Sequence, residues 1–216
     1  MRLTESLSQL ILFLVVFTDF AVLGNSRLSA CIRAVALQGL LLGILPPILY
    51  GDASLHTLAL AAGTVVVKAI VLPAFLRWAI REASVRREVE PLIGYMASLL
   101  LGVSALAASF AVASVLPAMN TRTGALIPVA LLTVIIGLLV LVTRAKALTQ
   151  VLGYLMLENG IYLFGLTQLE RVPFLVEVGV LLDVFVGVFI MGIVVFHINR
   201  EFDSISATRL TELREE

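Results

Sequence analysis

Cysteine occurs once in this chain, at Cys31, so no internal disulfide can form and no pair of thiolates stands at metal-ligand spacing. Histidine occurs twice, and His56 and His197 fall near the ends of apolar runs on opposite sides of the expected membrane, where they cannot share a metal. A glycine-rich phosphate loop, an HExxH pair, a CxxC pair and a serine nucleophile elbow are all missing, so the chain carries no signature of nucleotide, zinc-peptidase, thiol-redox or acyl-transfer chemistry. Charge is scarce as well: 14% of residues are charged, against roughly a quarter in ordinary soluble domains. The 15 cations and 15 acids cancel, which leaves no net field for nucleic acid or an acidic substrate. The longest polar stretches, residues 77–91 and the tail from about 198, are too short to bury a core of their own. Catalysis in a water-soluble domain therefore belongs to other chains, and none is expected of this one by itself.

What fills the chain instead is hydrocarbon. Sixty per cent of the residues are apolar, gathered into seven runs near 6–24, 29–50, 54–80, 92–117, 124–143, 148–169 and 173–197. Each is about the 20 residues that a helix needs to cross a bilayer. Barrel strands would alternate apolar and polar residues over about ten positions, and these runs do not alternate. The expectation is an all-α integral membrane protein of about seven transmembrane helices. The first run lacks a clean cleavage motif and is interrupted by Asp19, so it reads as a retained helix rather than a signal peptide.

Cations predict the orientation. The connections after the first, third, fifth and seventh runs, with their flanks, hold Arg27, Arg33, Arg77, Arg81, Arg86, Arg87, Arg144, Lys146, Arg200, Arg209 and Arg214. The other side holds only Arg2, Arg122 and Arg171. The positive-inside rule then puts the N-terminus outside and the C-terminus in the cytoplasm.

Ionisable residues inside the runs call for a reason, because each costs about 2.5–3.5 kcal/mol at the bilayer centre on insertion scales. Glu158 and Asp183 lie near the middle of the sixth and seventh runs, Lys68 near the middle of the third, Gln38 of the second, and Asp19 toward the cytoplasmic half of the first. Such groups face a bundle interior and pair there, so these residues read as a polar layer, with an ion or proton pathway as its functional reading and a packing pair as the plain one. Tyr154, Glu158 and Tyr162 recur at four-residue spacing and share one helix face, as do Gly179, Asp183 and Gly187, whose glycines invite a close neighbour. Pro73, five residues after Lys68, removes a backbone hydrogen bond and frees the carbonyl of residue 69, predicting a distorted, hydratable turn beside the ammonium. Glu177 marks either the outer mouth of a path or a headgroup contact.

The block LGYLMLENGIYLF followed by VEVGVLLDVFVGVFIM, with NSRLSACIRA and VVVKAIVLPAFL upstream, resembles component E of hydrogenase-4, a membrane subunit of formate-hydrogenlyase-type and related membrane-bound nickel–iron hydrogenase complexes. The resemblance covers most of the chain. The last three helices are in turn similar to the small three-helix subunit K of respiratory complex I and to its counterpart in Mrp-type sodium/proton antiporters. It implies a four-helix region over 1–117, a three-helix subunit-K-like region over 118–200 and a polar tail over 201–216. It also implies a prokaryotic inner (plasma) membrane location and a non-catalytic subunit that carries proton-pathway carboxylates. Glu158 matches the first membrane carboxylate of subunit K, and Asp183, an Asp rather than a Glu, stands for the second. The partners it implies are antiporter-like membrane subunits, a membrane subunit linking to the peripheral arm, and hydrophilic subunits bearing iron–sulfur clusters and a nickel–iron centre, with no cofactor in this chain. A component of an Mrp-type antiporter and a structural membrane scaffold remain the alternatives.

Overall fold

The computed structural model describes residues 2–51, 55–82, 92–115, 124–167 and 185–192. Helix α1 spans Arg2–Gly24 and α2 spans Leu28–Tyr50. Helix α3 has three pieces, Leu55–Thr64, a π-helical stretch Val65–Val71 and Leu72–Glu82. Helix α4 covers Tyr95–Val115, α5 Leu126–Thr143 and α6 Ala147–Leu166, and a further stretch, α7, is helical over 185–192. No strand occurs among the described residues.

Five of these helices, containing Thr4–Gly24, Leu28–Leu49, Ala61–Arg81, Tyr95–Val115 and Leu126–Thr143, are long and apolar enough to cross a membrane. At 1.5 Å of rise per residue, spans of this length reach about 30 Å, the thickness of a hydrocarbon core. Helix α6 corresponds to the sixth expected run. It is nearly as long, and its buried face carries Thr149, Glu158 and Asn159 among the leucines. The seventh run is described only over 185–192, so Asp183, Glu177 and Gly179 lie outside the described residues.

The buried positions follow the helical repeat. On α1, Ser8, Ile11, Leu12, Val15, Thr18, Asp19, Val22 and Leu23 form one stripe, while Leu10, Phe13 and Phe17 point outward. On α2 the stripe runs Leu28, Cys31, Ile32, Val35, Gln38, Leu42, Leu45, Leu49. These stripes close on each other and on α5 and α6 to make two apolar clusters, one around Leu23, Leu76, Ile136 and Met156, the other around Leu12, Leu42, Val129 and Leu163. The outward faces, including Leu100, Val103 and Val112 of α4, remain apolar, as a lipid-facing surface must be.

Small residues set the helix spacing. A Cβ on Gly153 would lie 2.5 Å from the amide nitrogen of Leu141, one on Gly160 2.6 Å from that of Val134, and one on Gly137 would collide with the backbone of Leu157. Helices α5 and α6 therefore form a hairpin in backbone contact, joined through Arg144–Lys146. Pro46 and Pro47 sit inside the last turns of α2, where their missing N–H groups leave the carbonyls of Leu42 and Gly43 without helical donors. The helix ends at Gly51, which takes the left-handed conformation (φ 63°) and donates its N–H to Pro47 O.

Candidate functional site

Two helices deliver the central contact. The ammonium of Lys68 on α3 lies 2.7 Å from Oε1 of Glu158 on α6, and the two side chains are 6% and 1% exposed. An ion pair withdrawn from water pays a desolvation cost of several kcal/mol per ion, which only close geometry offsets. The geometry here is close, and local backbone explains it. Pro73 has no N–H to give the carbonyl of Ala69, and the chain just before it adopts the wider π register, with Leu72 N–H bonding back to Val67 O. The distortion expected beside Lys68 thus takes the form of a full π-helical turn. That turn lies against Gly39 and Gly43 of α2: a Cβ on Gly39 would come within 2.7 Å of Lys68 Cβ, and one on Gly43 would collide with Val65. The four-residue glycine spacing lets the backbones approach, and it sets Lys68 against Gly39, the residue after Gln38.

A separate hydrogen-bonded chain begins at the residue after Glu158 and runs through the bundle. Asn159, the next residue on α6, donates Nδ2–H to Oε1 of Gln38 at 3.0 Å. Gln38 donates Nε2–H to Oδ1 of Asp19 at 2.8 Å. The other carboxyl oxygen of Asp19, Oδ2, is 2.9 Å from the hydroxyl of Thr133 on α5, which is also 2.9 Å from Val129 O. All four of these residues are buried, Asp19 completely. Five of the sequence-derived residues are thereby placed: Lys68 with Glu158, Gln38 with Asp19, and Tyr154 half-buried against the cluster around Met156. Tyr162 packs with the other cluster, one turn beyond Glu158 on the same face.

Two network members are not singled out by the sequence, Thr133 and Asn159. Their signal is register. Thr133 falls in the buried stripe Val129, Ala130, Thr133, Ile136, Gly137, Val140, and Asn159 in the stripe of Leu152, Leu155, Asn159 and Leu163, so a polar residue in phase with an apolar stripe is a polar residue in the interior. A Cβ on Gly187 would meet nothing within 4 Å among the described residues, and Gly179 and Asp183 of the same face lie outside them.

Arg144, which stands by sequence with the loop cations, is 1% exposed. It donates from Nη2 to Leu23 O at 3.0 Å, satisfying a carbonyl at the C-terminal end of α1, and stands 5.5 Å over the Tyr95 ring. Burial pushes its pKa below the ordinary arginine value, with Tyr95 and Cys31 acting the other way. A guanidinium remains charged all the same. Its role is to lock the end of the bundle where α1 and α5 finish and α4 and α6 begin, an end also held by Leu92 N–H on Thr143 O at 2.8 Å. No cluster of metal-binding side chains occurs among the described residues.

Over 206 residues the chain is 32% identical to the uncharacterized protein Rv0085 of Mycobacterium tuberculosis, an alignment covering 93% of this chain and 92% of that protein. It is 29% identical over 155 residues to hydrogenase-4 component E of Escherichia coli K12, covering 71% of this chain and 72% of the other, and equally to that of Shigella flexneri. No protein-family model matches the chain. No solved structure matches it.

Proposed function

The chain belongs to one family with the mycobacterial protein Rv0085 and is a distant homologue of hydrogenase-4 component E, and from that premise we propose that it is a non-catalytic membrane subunit of a hydrogenase-type oxidoreductase complex that carries part of a proton pathway. The observation that carries the reading is the buried Lys68–Glu158 pair at 2.7 Å, with the hydrogen-bonded chain Asn159–Gln38–Asp19 beginning at the next residue of α6. A polar chain of this kind is costly in a bundle of apolar helices, and ionisable groups kept there mark ion and proton routes. Redox chemistry, iron–sulfur clusters and the nickel–iron centre reside in partner subunits, and this chain binds antiporter-like and linking membrane subunits in a prokaryotic plasma membrane. Its N-terminus lies outside and its C-terminus inside, with seven spans. The last three helices work as a subunit-K-like unit in which Asp183 and Glu177 extend the path beyond Glu158. In this reading Lys68 biases the charge of Glu158, and a change in the Lys68–Glu158 contact moves a proton along the layer.

The test is Glu158→Gln, which keeps the size and hydrogen-bonding of the side chain and cannot ionise. The expected result is strongly reduced proton translocation per assembled complex in everted vesicles, while Glu158→Asp retains a measurable part. Normal translocation by Glu158→Gln at normal abundance makes the pair a packing device and favours the scaffold reading.

A further inference from the structure

The Thr133 hydroxyl stands 2.9 Å from both Oδ2 of Asp19 and the carbonyl oxygen of Val129, yet a hydroxyl has one proton to donate. Val129 O accepts from it when Thr133 bonds along its own helix. The contact with Asp19 then needs its hydrogen from the carboxyl. With the hydroxyl turned the other way, Thr133 donates to an ionised Asp19. Gln38 donates to Oδ1 in both arrangements, because its own oxygen is committed to Asn159. The same heavy-atom positions therefore serve a neutral and an ionised Asp19, and one rotating O–H bond makes the difference.

The surroundings exclude the usual reasons for a buried acid. Asp19 is fully enclosed, and the groups facing it are Gln38 from α2 and Thr133 from α5, both uncharged. Helix α4 presents Ser98, Gly102, Ala105 and Ser109 to the bundle, and the charged groups of the layer, Lys68 on α3 and Glu158 on α6, pair with each other. Nothing in this arrangement is a fixed counter-ion of Asp19 among the described residues.

We propose that Asp19 is a further proton-exchanging carboxyl of this layer, with Thr133 as the rotor that accommodates both of its states and Gln38 and Asn159 tying it to the helix that carries Glu158. In the exchange step a water molecule is admitted to the enclosed site, the carboxyl O–H bond breaks and the proton passes to that water, and the Thr133 O–H turns from Val129 O to Oδ2; nothing is oxidised or reduced. The proposal deepens the proton-pathway reading and rests on it.

Asp19→Asn separates exchange from architecture. An asparagine amide donates to Thr133 and its carbonyl accepts from Gln38, so it reproduces the neutral acid and should fold, but it cannot release a proton. Expected in the intact complex are normal abundance and loss of most coupled proton transport. In infrared spectra of the full-length chain, a protonated-carboxyl C=O band should shift in D2O and titrate with pH, be absent from Asp19→Asn, move in Thr133→Val and stay in place in Thr133→Ser. Full transport by Asp19→Asn alongside blocked Glu158→Gln overturns this proposal and leaves the proton-pathway reading standing, whereas normal transport by both removes the two together. A band that answers to sodium rather than to pH, or one at the same position in Thr133→Val and Thr133→Ser, also overturns it.

Discussion

Removing one partner of the Lys68–Glu158 pair leaves the other charge enclosed by protein, which typically costs about 3–5 kcal/mol. Lys68→Met, a neutral side chain of similar length, is therefore expected to lower the amount of chain in the membrane. The double variant Lys68→Met/Glu158→Gln removes both charges, and replacing a whole buried pair is often close to neutral. It should recover abundance while proton transport stays low. Immunoblots of membranes beside transport assays measure both quantities, and the non-additivity of the variants reports the coupling. Equal loss of abundance in the single and double variants would show that the pair contributes nothing through charge.

At the scale of helices, the hairpin of α5 and α6 depends on the absence of side-chain atoms at Gly137, Gly153 and Gly160. The neighbours at these points are backbone atoms, which cannot rotate aside. Gly137→Ala should force the helices apart, at an overpacking cost of about 1–3 kcal/mol, and lower the thermal stability of the purified chain. Gly187→Ala is the control, because an added Cβ there meets nothing within 4 Å, and it should unfold at or slightly above the wild-type temperature. Separating α5 from α6 would also draw Thr133 away from the layer that α6 builds, so a stability loss at Gly137 should come with a transport loss.

For the molecule as a whole, the contacts place Arg144, the start of α4 and the ends of α1 and α5 at one end of the bundle, and Arg77 and Arg81 line a groove there with Leu28 and Ser29 of α2. Cations collected at one end support the cytoplasmic assignment of that end. A reporter fused after Glu216 is expected to behave as cytoplasmic and one inserted near Arg122 as external. An external C-terminal reporter would contradict either the seven spans or their direction.

Helical class and membrane residence were legible in the residues alone, because the bilayer imposes a length and a composition on anything that crosses it. The candidacy of Lys68, Glu158, Gln38 and Asp19 was legible for the same reason: the cost of burying a polar group in lipid depends on depth along one helix, which a linear sequence records. Partnership was not. Lys68 meets a residue 90 positions away. That meeting depends on two glycines of α2 admitting a π turn and on three glycines drawing α5 against α6. Helical phase, read as an extension of each apolar stripe, would have put Thr133 and Asn159 inside without saying what they touch. Which donor faces which acceptor, and hence that one threonine hydroxyl is shared between a carboxyl and a carbonyl, is set by distances between helices, and those exist only once the chain is packed.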